Sequence, residues 1–205
     1  MPISLLIRLA VGLACLLVGA LLAWQHPLWP AVAVTGFFLW AAVAARHPLV
    51  WLFAVPALLP VLNFSPWTGW LIFNEFDLLL LGALAGGYLR LCLPSSQVPI
   101  APRVALSRGQ RILFALLAGS VLTGLGVGLA DAWAWAPGRG GSSDYLLFQG
   151  YSDALNSLRV AKSLAFGLMF LPMLGQALAT AASGATATLL FGRGVLAGLA
   201  LVSLA

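Results

Sequence analysis

Apolar residues run along the chain in long unbroken blocks. They neither alternate with polar ones nor follow a one-sided helical stripe. The blocks are roughly 15 to 22 residues long, close to the about 20 that a helix needs to cross about 30 Å of hydrocarbon. The pattern predicts helices over about Ser4 to Trp24, Leu28 to Ala45, Leu49 to Leu62, Phe76 to Leu93, Ile112 to Ala130 and Ala154 to Leu178. A last apolar stretch covers about Thr186 to Ala205, with Arg193 near its start. Only Gln25, His26 and Pro27 separate the first two helices, which predicts a tight antiparallel hairpin. The third carries Pro56 and Pro60. Proline removes a backbone donor and clashes one turn back, so this helix is expected to be kinked, broken or re-entrant.

Composition strengthens the membrane reading. Of 205 residues, 62% are hydrophobic and 7% charged, whereas a soluble domain carries about 25% charged residues. Mean hydropathy is +1.04. A soluble enzyme, a nucleic-acid binder and a secreted disulfide scaffold are excluded. The expected fold is all-α: one polytopic transmembrane bundle of six to seven spans over residues 1–205, with a cytoplasmic linker at 94–111 and a periplasmic loop at 131–158. Cys15 lies inside the first block and Cys92 at the end of the fourth, with no metal-ligand spacing. Arg8 precedes the first block, but Trp24-Gln25-His26-Pro27 offers no small-x-small cleavage site, so this block is read as a retained span.

The net charge of +5 is spread as single residues between the blocks, so it sets topology and is no nucleic-acid footprint. With the N-terminus in the cytoplasm, the inner segments hold Arg8, Arg46, Arg90, Arg103, Arg108, Arg111 and Arg193. The outer ones hold Arg139, Arg159 and Lys162, and all the acids fall outside: Glu75, Asp77, Asp131, Asp144 and Asp153. That bias predicts a cytoplasmic N-terminus. The basic border of the 94–111 linker suits anionic lipid. Trp133, Trp135, Tyr145, Phe148 and Tyr151 suit a segment lying among headgroups.

No phosphate-binding glycine loop, His/Glu metal pair or nucleophile elbow is present, so no metal and no cofactor is expected. His26 and His47 read as loop histidines on opposite sides. Arg159 and Lys162, three apart, share one face near the outer end of the sixth helix. Cations oppose a helix N-terminus, so something anionic should compensate them. Asp153, Asp144, Glu75 or Asp77 would serve, and so would a lipid-borne phosphate or diphosphate held by the arginine fork. Asn74 and Asp77 have capping spacing, with acids at the start of the fourth helix; a carboxylate acting on substrate or on Arg159 is the sharper alternative. Gly82 with Gly86, Gly124 with Gly128, and Gly194 with Gly198 each form Gly-x-x-x-Gly, which lets helices approach closely within the bundle or between chains.

Three segments carry a family resemblance: Pro56-Ala-Leu-Leu-Pro-Val-Leu62, Ser65-Pro66-Trp67-Thr68-Gly69-Trp70 and Glu75-Phe76-Asp77-Leu-Leu-Leu80. They resemble the N-terminal region of bacterial inner-membrane proteins of the O-antigen ligase or polymerase-like kind. Ala154-Leu-Asn-Ser-Leu-Arg-Val-Ala-Lys162 is similar to a later stretch of the same proteins. The resemblance implies handling of undecaprenyl-diphosphate-linked glycans at the periplasmic face without nucleotide sugars or metal. It also implies that this chain is an N-terminal half that lacks the large catalytic loop. Arg159 and Lys162 would then be the diphosphate partners, with Glu75 and Asp77 orienting them. The rival expectation is a non-enzymatic membrane subunit or a small transporter. Membrane lipids are the expected partners in either case.

Overall fold

The computed structural model describes residues 3–63, 69–70, 73–93, 108–135, 156–180 and 184–203. Among them are seven helices: α1 (Ile3–Trp24), α2 (Pro30–Arg46), α3 (Val50–Asn63), α4 (Glu75–Cys92), α5 (Arg108–Trp135), α6 (Asn156–Thr180) and α7 (Gly184–Ser203). Two short strands, β1 (Gly69–Trp70) and β2 (Phe73–Asn74), pair antiparallel just before α4. Stretches within α1, α5, α6 and α7 are long and apolar enough to cross a membrane: Ser4–Trp24, Arg111–Ala130, Ser157–Gly175 and Ala185–Ser203. Helices α2 and α3 are apolar but shorter. At 18 residues α4 reaches about 27 Å, and its three charges, Glu75, Asp77 and Arg90, stand near its ends.

The chain forms two compact units. The first comprises Met1–Arg103 and Phe170–Ala205, the second Val104–Met169. Helices reach into both segments expected as linker and loop, 94–111 and 131–158. Arg108 to Arg111 form the first turn of α5, which runs on to Trp135, and α6 begins at Asn156. The rest of both segments lies outside the described residues.

In the first unit α4 is the central helix. Leu79 and every residue from Leu81 to Tyr88 are buried. Glycine makes this possible. A Cβ on Gly86 would run into the Ala41 carbonyl, the Ala45 amide and the Ala44 side chain of α2. One on Gly82 would meet the Trp40 ring, whose Nε1 donates to the Leu79 carbonyl at 2.7 Å. On the α1 side, Gly12 lies against Tyr88 and Leu89, and Gly19 against the Phe37 ring of α2. Small residues thus bring three helix backbones together where lipid offers no hydrophobic drive.

Helix α3 passes through both prolines without a break, so of the kinked, broken and re-entrant alternatives the broken one does not hold. Pro60 has no N–H to offer the Pro56 carbonyl one turn back. That carbonyl faces Gly198 of α7, and the Phe53 carbonyl faces Gly194. The side-chain-free backbone of α7 comes close enough for weak C–H···O contact with these oxygens. At the start of α3, Leu52 packs with Ala177 of α6 and Ala187 of α7, flanked by Leu49, Trp51, Leu174 and Leu190. Trp51 stacks at a tilt on Phe170, ring centroids 4.9 Å apart, and its Nε1 is buried without an acceptor.

The glycines of α5, in the second unit, behave differently. A methyl group added at Gly119, Gly124 or Gly126 would meet nothing within 4 Å. Leu113, Leu116 and Leu122 on the same helix are each about two-thirds exposed.

Candidate functional site: a carboxylate–imidazole end and a cationic helix turn

The first unit is polar along the axis of α4. Its first turn carries Glu75 and Asp77, its last turn Arg90. Arg90 Nη1 donates to the Ala45 and Arg46 carbonyls at 2.9 and 3.0 Å, closing the C-terminus of α2 with a cation, as the helix dipole favours. Arg8 stands one turn before Gly12, which touches Tyr88 and Leu89, so it falls at this same basic end. The acids and the α1–α2 turn occupy the other end.

At the acidic end a capping box starts α4. The Asp77 amide donates to Asn74 Oδ1 at 3.1 Å, and the Asn74 amide donates to Asp77 Oδ2 at 2.9 Å. Such a cap contributes about 1 kcal/mol. It engages Asp77 Oδ2, and Asp77 is 3% exposed. Capping, the plainer of the two readings, is what the structure shows for this residue.

Glu75 is placed otherwise. Its Oε1 lies 3.7 Å from Nε2 of His26, in the turn between α1 and α2. That is an electrostatic approach, longer than a hydrogen bond. Both Glu75 oxygens are buried, and among the described residues neither has a hydrogen-bond partner. Burial pushes the carboxyl above the ordinary carboxylate range, with Asp77 adding to the rise and His26 opposing it. The Trp29 amide donates to His26 Nδ1 at 3.2 Å, so Nδ1 is the unprotonated nitrogen and the ring turns its Nε2 proton towards Glu75. A carboxylate with unsatisfied oxygens beside an N–H donor is equipped to hold a hydroxyl or a cationic group.

Nothing in the spacing predicts this pair. His26 and Glu75 are 49 positions apart, and which loop meets which helix end is a tertiary fact. The available signal was their assignment to one side of the membrane, together with the tightness of the first hairpin.

Arg159 and Lys162 belong to the second unit, in the first two turns of α6. Both are half-buried and, being three apart, lie on one helical face as expected. Ser163 Oγ donates back to the Arg159 carbonyl at 2.9 Å, so this hydroxyl is turned onto the helix backbone. The structure therefore brings Glu75 to His26, Asp77 to Asn74, and Arg159 to the face of Lys162. Asp144 and Asp153, expected as possible counter-charges, lie outside the described residues. So do Ser65 to Thr68 and Ala154, which carry part of the family resemblance. Among the described residues no group of three or more His, Cys, Asp or Glu side chains is placed to hold a metal ion. Compared with protein-family models, curated proteins and solved structures, the chain matches none.

Proposed function

We propose that the protein is a multi-pass bacterial inner-membrane protein of six to seven spans, N-terminus in the cytoplasm, that binds a lipid-linked diphosphate at its periplasmic face. The lipid is an undecaprenyl-diphosphate-linked glycan, and the chain is the N-terminal part of an O-antigen ligase or polymerase-like protein, as the resemblance implies. The single observation behind the membrane placement is the charge polarity of the first unit. Arg46 and Arg90 sit at one end of α4, and Glu75, Asp77 and His26 at the other. Arginine-rich ends stay in the cytoplasm. The diphosphate falls to Arg159 and Lys162, which set two cations on one face of the first turns of an apolar helix. A planar guanidinium also fits a phosphate through two parallel bonds.

Native mass spectrometry of the purified protein with undecaprenyl diphosphate, phosphatidylglycerol and free pyrophosphate tests this reading. Binding of the undecaprenyl lipid, weakened about tenfold or more by Arg159→Ala with Lys162→Ala, supports it; each lost charge-assisted bond is worth about 1.5–3 kcal/mol. Equal binding by wild type and the double variant at matched stability contradicts it. Preference for phosphatidylglycerol would reduce the site to a general anionic-lipid contact. A second reading, a non-enzymatic subunit of a membrane assembly, is favoured by the exposed position of Arg193 within α7.

A further inference from the structure

Arg193 was expected near the inner flank of the last apolar stretch. The structure puts it nine residues after the first residue of α7 and ten before the last. At 1.5 Å per residue its Cα lies about 14 Å from either end of the helix, further than an arginine stem reaches. It is exposed, and among the described residues no ion pair or hydrogen bond is made by its guanidinium.

The surroundings of Arg193 are ordered by helical period. Ala187, Leu190, Gly194 and Gly198 form the face packed on α3 and α6. Leu189, Gly192, Arg193, Leu196 and Leu199 form another face. Leu189, Leu196 and Leu199 are 51%, 68% and 61% exposed, and a Cβ at Gly192 would stand in open space. This face is a leucine stripe with a glycine beside a single cation. It is shaped for close approach by another helix, and the cation dictates what that helix carries. A lone charge at mid-bilayer is expensive and is resolved by pairing.

We infer that this face of α7 docks a membrane-spanning helix of another polypeptide that carries one carboxylate at mid-depth, paired with Arg193. A second copy of this chain does not supply that group from its described residues. Glu75 and Asp77 stand in the first turn of α4, and Asp131 lies beyond the apolar stretch of α5, which ends at Ala130. The inference rests on α7 crossing the membrane and is independent of which lipid the protein binds.

The test uses the full chain in nanodiscs and a synthetic probe helix of about 20 leucines, with one central glutamate or, as control, one central glutamine. Association is read by energy transfer. The glutamate probe should bind about tenfold more tightly than the glutamine probe, the scale of one good interhelical polar contact in lipid. Arg193→Gln should abolish that preference, and Arg193→Lys should keep part of it. Leu196→Cys reports α7 itself. If an impermeant maleimide labels it readily, α7 does not span and the inference fails together with the membrane placement of this helix. If Leu196→Cys is protected while both probes bind equally, or while Arg193→Gln leaves the preference intact, only the docking inference is overturned.

Discussion

Gly82 with Gly86 and Gly124 with Gly128 are the same motif in sequence, yet Gly82 and Gly124 stand in opposite surroundings. On α4, Gly82 and Gly86 face Trp40, Ala41 and Ala44 so closely that a single added methyl group would collide with them. On α5, a methyl group at Gly124 would meet none of the described residues within 4 Å. The motif makes close approach possible without choosing a partner. The partner is chosen by what surrounds it: α4 is flanked by Trp40, with a hydrogen bond to offer, and by the small Ala41, Ala44 and Ala45 of α2. Around Gly124, α5 offers exposed leucines.

The sharpest way to break that contrast is Gly86→Val. Its branched side chain would have to displace the backbone of α2 at Ala41 and Ala45, which cannot yield as a flexible side chain would. A loss of about 3 kcal/mol or more is expected in reversible unfolding in detergent or bicelles. Trp40→Phe should cost about 1 kcal/mol in the same assay. It removes the donor to Leu79 while keeping most of the ring, and Leu79 retains its place in the helix.

Smaller effects follow at the acidic end. The folded state holds the Glu75 proton more tightly than the unfolded chain does, because burial raises its carboxyl. In the pH range just above the ordinary carboxylate range, the folded state therefore binds more protons, and stability falls as pH rises through it. Glu75→Gln should flatten that dependence by under about 1 kcal/mol, since the group is not fully buried and water screens it. A slope of the opposite sign would mean that attraction to His26 outweighs burial. The smallest effect is predicted for Gly124→Ala, which fills empty space and should stabilise α5 by about 0.5 kcal/mol or leave it unchanged. A loss comparable to that of Gly86→Val would show that α5 is packed as tightly as α4.

Local features were legible in the sequence, and tertiary ones were not. Apolar blocks locate all seven helices, and Asn74 three residues before Asp77 announces the cap that starts α4. Boundaries erred where polarity and helix disagree. Arg108, Arg111 and Asp131 look like loop residues, yet α5 includes them, because a helix can continue past the hydrocarbon with its backbone bonds intact. Pro56 and Pro60 suggested a kink, a break or re-entry, but whether a proline breaks a helix depends on what meets the freed carbonyl, here Gly198 on a helix far along the chain. Arg193, expected near the start of the last apolar stretch, stands at the middle of α7, because nothing in an apolar run marks where that helix begins. The meeting of His26 and Glu75 depends on how α1, α2 and α4 pack, which no spacing encodes.

The central claim is that the two ends of α4 face opposite sides of a membrane, the acidic end outward. Single cysteines in a chain with Cys15→Ser and Cys92→Ser test it directly. Gln25 and His47 are both exposed and belong to the turns at the two ends of α2. In intact cells an impermeant maleimide should label Gln25→Cys, beside the His26–Glu75 pair, and should label His47→Cys only after permeabilisation. Labelling of His47→Cys alone would reverse the orientation, and labelling of both in intact cells would contradict a membrane crossing between them.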